Sequence, residues 1–205
     1  MPQRRLPRAA EVFLNVPFDR RYQPLFIALV AGLVALRRVP HCVLEIPDGG
    51  TGRLGRIFRL LSTCGASIHD LSRVSRSGPM RVPRFNMPFE LGLACAVAQL
   101  ERRHEYFLVE ALPFRLQQSL SDLNGQDPRI HGGTVDGMLG AVSDCFGTRG
   151  PQPSHARMRK LHDVVSRRAH EVRRQVGARD LYTPAIFRRT VLIAIAVARN
   201  LDIIE

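Results

Sequence analysis

Val12-Phe13-Leu14-Asn15-Val16-Pro17 is a short β-branched and aromatic run with one polar residue, Asn15, halted by proline, and it reads as a buried strand. Pro24 then opens residues 25–36, apolar on every side, which predicts a helix lying against a sheet. Residues 39–46 predict a second strand, closed by the turn Pro47-Asp48-Gly49-Gly50. The alternation continues down the chain. Leu54, Ile57, Leu60 and Leu61 mark an amphipathic helix over 53–64, followed by a strand over 66–71, a helix over 89–99 and a strand over 106–109. A helix over 113–123, a short strand over 129–131 and a helix over 134–145 complete it. This order predicts an α/β fold, an open parallel sheet of about five strands with helices on both faces.

Gly147-Thr148-Arg149-Gly150-Pro151-Gln152-Pro153 is the clearest break. It separates an α/β domain over 10–147 from a basic helical extension over 154–205, read as a hairpin of helices 154–176 and 182–201. The 205 residues suit one domain with an extension or one large domain. An apolar share of 45% and a charged share of 23% exclude wholesale disorder.

Thirty basic against eighteen acidic side chains leave a net charge of +12, which raises the question of a polyanionic partner. Lys160 is the only lysine, and a skew so complete follows from GC-rich coding as readily as from phosphate binding. Residues 151–205 hold eleven of the thirty cations and five of the eighteen acids, so half the net charge lies there. No aromatic residue interrupts that segment before Tyr182, whereas single-strand nucleic-acid surfaces interleave cations with stacking rings. The extension therefore reads as a hairpin packed on the core or paired with a second subunit, ahead of a nucleic-acid surface. Val191, Leu192, Ile195 and Ala198 offer a stripe for a homo-oligomer interface.

Cys42, Cys64, Cys95 and Cys145 stand singly, which argues against a zinc site or disulfide framework and for buried thiols in a reducing compartment. The basic N-terminus lacks a following apolar signal region, and the longest apolar stretch falls short of the ~20 residues of a bilayer span. A cytoplasmic protein without membrane attachment is expected.

Ligands of open parallel sheets sit at the C-terminal strand edge, near the point where strand order reverses. Residues 15–19, 45–55, 69–73 and 84–92 fall there. In Arg84-Phe85-Asn86-Met87-Pro88-Phe89-Glu90-Leu91-Gly92, Pro88 suits a first helical turn and Asn86 a cap. Glu90 then lies within about a turn of the helix N-terminus, on the face of Asn86. Such a carboxylate can act at C1′ of a ribose, as nucleophile or as partner of an oxocarbenium ion. The plainer reading is that it complements the helix dipole.

Gly50-Thr51-Gly52-Arg53-Leu54-Gly55 is a rival motif, with the spacing of a dinucleotide-binding loop before a helix. Pro47-Asp48-Gly49 intervenes between strand and first glycine, and the motif follows the second strand, which weighs against a dehydrogenase-like site. Ser67 and His69 share one strand face while Asp70 turns the other way. Asn15 and Asp19 suit a ribose, a phosphate or a helix cap. His131 reads as structural. Arg73, Arg76, Arg81 and Arg84 suit either a solvated loop or a nucleotide's phosphates, with Arg84 best placed.

Ile68-His69-Asp70-Leu71-Ser72, a loop, and then Asn86-x-x-x-Glu90-Leu91-Gly92 with Ala94 and Ala96 resemble the superfamily of bacterial TIR-like domains and nucleoside 2-deoxyribosyltransferases. Phe13-Leu14-Asn15-Val16-Pro17-Phe18 is similar to its first-strand motif, and the likeness spans about residues 10–147. The resemblance implies a flavodoxin-like fold and a catalytic Glu90 acting on the N-glycosidic bond of NAD or a nucleotide, as an NAD hydrolase or cyclase in bacterial immunity or antiviral signalling. It further implies a pocket shaped by Asn15, Pro17, Phe18, Asp48, His69, Asp70, Arg84 and Asn86, with no metal and no cofactor beyond the nucleotide itself. The alternatives are a non-catalytic nucleotide sensor or scaffold, and a nucleoside deoxyribosyltransferase. Asn15-Val16-Pro17 departs from the Ala-Gly-Pro of deoxyribosyltransferases and the serine or Tyr-Ser of TIR domains, and residues 45–50 are more acidic than the pattern, which leaves the substrate open.

Overall fold

The computed structural model describes residues 10–46, 52–73, 85–100, 104–116, 120–123, 125–147 and 152–205. Among them are five strands and six α-helices in the order β1 (Glu11–Asn15), α1 (Gln23–Ala35), β2 (Val39–His41), α2 (Arg53–Thr63), β3 (Ala66–Asp70), α3 (Asn86–Leu100), β4 (Glu105–Glu110), β5 (Arg129–Ile130), α4 (Val135–Phe146), α5 (His155–Gln175) and α6 (Pro184–Asn200). The sheet runs β2-β1-β3-β4-β5 with every neighbouring pair parallel, the flavodoxin-like order. No described helix is long and apolar enough to cross a membrane.

The pleat sorts side chains to two faces. Val12, Leu14, Ala66 and Ile68 join a core with α1 and α4, while Phe13 packs with Ile57, Leu60 and Leu61 of α2 and Ala94 and Val97 of α3. Burial on both faces explains why Val12, Phe13 and Leu14 are apolar without alternation.

Three expected elements differ. The second strand ends at His41, because Glu45 Oε1 accepts the Cys42 N–H at 2.8 Å in a capping box and turns residues 43–45 into a 3-10 helix. Pro40 is tolerated there because β2 is an edge strand. Of the expected helix 113–123, residues 115 and 116 are helical, 117–119 lie outside the described residues, and Ser121–Leu123 form a 3-10 turn. The third helix starts at Asn86, not 89, with the Phe89 N–H bonded to the Phe85 carbonyl at 3.1 Å. Phe85 thus stands at the cap position expected of Asn86, while Pro88 keeps its place in the first turn.

Every residue of α1 except Pro24 is buried. One side lies on the sheet, and the other is covered by α4, α5 and α6, with Met158, Leu161, Val165, Ile186, Phe187 and Ala194 in the same core. The 154–205 segment therefore adds a further helical layer over α1 and shares the core of 10–147. Phe26 contacts Phe18, Tyr182 and Phe187 at ring distances of 6.2, 5.3 and 5.7 Å. The stripe expected to face a second subunit is mostly used within the chain: Val191 and Ala198 are buried, and only Leu192 is largely exposed.

Several cations of the extension act as clamps. Arg157 Nη2 donates to the Leu201 and Asp202 carbonyls at the end of α6, both at 2.6 Å. Arg159 ties Asp136 of α4 at 2.6 Å and Asp163 at 3.1 Å. Arg188 donates to the Glu45 carbonyl at 3.2 Å. Thr134, Ser154 and Thr183 cap α4, α5 and α6, the last followed by Pro184 in the first turn.

Candidate functional site

In this strand order the crevice opens between the C-terminal ends of β1 and β3. The connections leaving β2 and β3 bring the N-termini of α2 and α3 to the same edge. Those termini meet: Arg53, the first residue of α2, places Nη2 3.3 Å and Nε 3.4 Å from Glu90 Oε1. Glu90 is only 3% exposed. Its Oε2 has no hydrogen-bond partner and is the only oxygen in that position among the buried side chains described. Burial pushes the Glu90 carboxyl above its ordinary range, against the pull of Arg53 and a weaker one from Asn86. Asn86 Nδ2 also lies 3.5 Å from Met87 Sδ. Asn86 itself is exposed.

Beneath β1 and β3 runs a buried polar relay. His104 Nδ1 lies 3.1 Å from the Cys64 carbonyl and must donate to it. His104 Nε2 therefore accepts from Ser67 Oγ at 2.9 Å, and Ser67 Oγ accepts from His69 Nε2, also at 2.9 Å. That leaves His69 Nδ1 to accept from Asn15 Nδ2 at 3.0 Å. The donors run one way along the chain and fix each tautomer. Burial, with His104 nearby, lowers His69 to a pKa of about 3, so it stays neutral.

Asp70 turns to the opposite face, as the alternation requires. Its Oδ2 accepts from Tyr22 Oη and lies 3.2 Å from His131 Nε2, while Oδ1 accepts the Ser72 N–H at 2.8 Å. The Gly133 N–H donates to His131 Nδ1 at 3.0 Å, which places the His131 proton on Nε2, facing Asp70 and Ser72 Oγ. Burial and Asp70 together hold the Tyr22 phenol well above its usual range.

The expected pocket residues thus separate. Asn15, His69 and Asp70 are buried with polar atoms bonded inside the chain, and Pro17 is buried. Their bonds hold the edge from beneath, and their polar atoms already have partners within the chain. Phe18 turns its ring to Tyr182, 5.2 Å away, and Tyr182 Oη donates to the Asp19 carbonyl at 2.8 Å. Asp19 also meets Arg73 at 3.3 Å. Asp48 and Arg84, with Gly50, Thr51, Arg76 and Arg81, lie outside the described residues.

Arg53, Tyr22 and His104 are participants that sequence reasoning passed over. Arg53 carried a signal, as the charged residue of the glycine-rich motif; Tyr22 and His104 carried none. Among the described residues no His/Cys/Asp/Glu group could hold a metal ion. Comparison with protein-family models, with curated proteins and with solved structures gave no match.

Proposed function

We propose that the chain cleaves an N-glycosidic bond, with NAD or a related nucleotide as substrate and the Glu90 carboxylate as the reacting group. The observation that supports this is Glu90 itself, a buried carboxyl at the functional edge of a parallel sheet with one oxygen left unpartnered. As the C1′–N bond lengthens, positive charge develops on the ribose. A carboxylate beside C1′ stabilises that charge or closes on it as a ribosyl ester that water then hydrolyses. The bonding pair leaves with the base, the water oxygen ends on C1′, and a proton passes to solvent.

The leaving group separates the candidate reactions. Nicotinamide departs from a pyridinium as a neutral ring and needs no proton donor, whereas departure of a purine or pyrimidine is assisted by one. His69 is held neutral inside its relay and Asp70 is enclosed by Tyr22, Ser72 and His131. A pyridinium substrate therefore suits these surroundings better than the transfer of deoxyribose between nucleosides. Such an NAD hydrolase or cyclase fits bacterial immunity or signalling.

The test is nicotinamide release from NAD by the wild type and Glu90→Gln, at several protein concentrations so that homo-oligomers are sampled. Release by the wild type that falls at least ~100-fold in Glu90→Gln supports the proposal; equal release by both removes Glu90 from the chemistry. The second reading, a nucleotide sensor without turnover, draws on the burial that raises the Glu90 carboxyl. A protonated carboxyl can bind a ribose hydroxyl but neither attacks nor stabilises a cation. Calorimetric NAD binding with no nicotinamide released selects that reading.

A further inference from the structure

Arg53 of the glycine-rich motif and Glu90 of its rival meet in space. The Arg53 guanidinium rests on the Glu90 carboxyl at 3.3–3.4 Å. Gly52 occupies the cap position of α2 and provides no side chain to bond the first turn, which contains no acidic residue. The first intrahelical bond runs from the Arg56 N–H to the Gly52 carbonyl at 3.2 Å. The N–H groups of residues 53–55 precede it and have no partner inside the helix. Arg53 is about half exposed, at 47% for its side chain. Its contact with Glu90 engages two of the guanidinium's nitrogens and leaves Nη1 over.

Glu90 Oε2 is the second, independent sign of a ligand. It is an acceptor, buried and unpartnered, in a carboxyl whose other oxygen is already on Arg53. A hydroxyl donor would satisfy it. An anion would satisfy what remains of Arg53 and the α2 N-terminus. A sugar carrying a phosphate presents both groups, joined by the width of one ring. A bare nucleoside presents only the first.

We infer that Arg53 and the N-terminus of α2 form the phosphate-recognition element of the Glu90 site, so that the substrate class is a 5′-phosphorylated riboside, not a free nucleoside. This rests on the reading of Glu90 as the group that meets the ribose.

Nicotinamide mononucleotide and nicotinamide riboside differ only in the 5′-phosphate and make the matched pair. Nicotinamide release from each is measured for the wild type, Arg53→Ala and Arg53→Lys, and calorimetry with Glu90→Gln gives the affinity for each without turnover. The wild type should favour the mononucleotide in KM by about tenfold or more, the size of a charge-assisted contact. Arg53→Ala should erase that ratio and Arg53→Lys restore part of it. Any effect of Arg53 on the Glu90 carboxyl falls on both compounds alike, so the ratio isolates the phosphate. Thermal melting of each variant checks that the fold is intact. A wild type indifferent to the phosphate, or an Arg53→Ala variant that keeps the full preference, overturns the inference. Equal cleavage of both compounds leaves the Glu90 reading standing while the phosphate inference falls. Neither release nor binding of either compound overturns the inference, and the absence of release from NAD as well sinks the Glu90 reading with it.

Discussion

Replacing Glu90 by methionine should make the protein more stable while abolishing its proposed activity. The carboxyl is 3% exposed and Oε2 has no partner, and a buried acceptor left unbonded costs about 1–3 kcal/mol. The contact with Arg53 offsets little of this, because the guanidinium is half in solvent and such pairs contribute about 0–1 kcal/mol. Methionine keeps the length of the side chain, favours the helix and presents a thioether that needs no hydrogen bond. The balance is a gain of about 1–2 kcal/mol, or roughly 3–6 °C in Tm for a chain of this size. The gain should also depend on pH. Burial raises the Glu90 carboxyl in the folded state, so folding disfavours its ionised form. Below about pH 4.3, the ordinary range of the unfolded carboxyl, the wild type escapes that penalty. As pH rises through that value towards the raised folded pKa it loses stability, and above the folded pKa the loss is complete. Urea midpoints of wild type and Glu90→Met from pH 4 to 8 should therefore diverge with rising pH and then run parallel. A variant less stable by more than ~1 kcal/mol, or a gap that narrows as pH rises, would show that the fold relies on the carboxylate.

Gly137→Ala should be strongly destabilising, because its Cβ would stand 2.0 Å from the His131 carbonyl oxygen. The turn from β5 to α4 must shift and carry His131 away from Asp70, lowering the urea midpoint by the equivalent of about 2 kcal/mol or more; an unchanged midpoint would mean that the turn yields freely. Phe187→Ala should cost about 3–5 kcal/mol by denaturant unfolding, since the ring is buried against Phe26 in the shared core. A chain ending at Gly147 should fail to fold as a monomer in gel filtration, because the outer side of α1 is uncovered; a well-behaved monomer would make the extension a separate unit. Thiol labelling of the native protein should reach Cys95 first. Cys42, Cys64 and Cys145 are buried, burial pushes Cys145 up to about 12, and equal rates at all four would contradict that packing.

The layers of this fold are legible where a local pattern states a global requirement. Residues 12–14 and 16 are apolar without alternation, and a strand with cover on both sides tolerates that. Residues 25–36 lack a polar face, so a helix there needs a second covering layer as well as the sheet. The sequence alone left open whether the hairpin covers its own core or a second subunit, since Val191 and Ala198 suit either partner. β2 is shorter than its β-branched composition suggests because one side chain, Glu45, captures the next N–H of the ladder. The faces of Ser67, His69 and Asp70 follow from the two-residue period of a strand. Their partners do not, as Asn15 lies 54 residues from His69 and Ser67 lies 37 from His104. Arg53 and Glu90 are likewise 37 residues apart.

The contrast among these polar groups bears on function more than any one of them does. In the relay under β1 and β3, each step from Asn15 to the Cys64 carbonyl pairs a donor with an acceptor. Asp70 has bonds to both oxygens, one from the backbone and one from a phenol. Groups matched in this way hold strands in register and set turns, and the fold suffices to explain their presence. Glu90 differs on the same edge of the same sheet. Its carboxyl is desolvated, one oxygen is held loosely by a half-exposed arginine, and the other is bonded to nothing. Glu90 is the fifth residue of α3, beyond the first turn in which the dipole acts, and a helix can complement its dipole with an exposed acid at no such cost, so dipole compensation does not account for its burial. A penalty kept where an apolar side chain would remove it is expected of a residue retained for chemistry, and the stability of Glu90→Met tests that expectation without any assumption about the substrate.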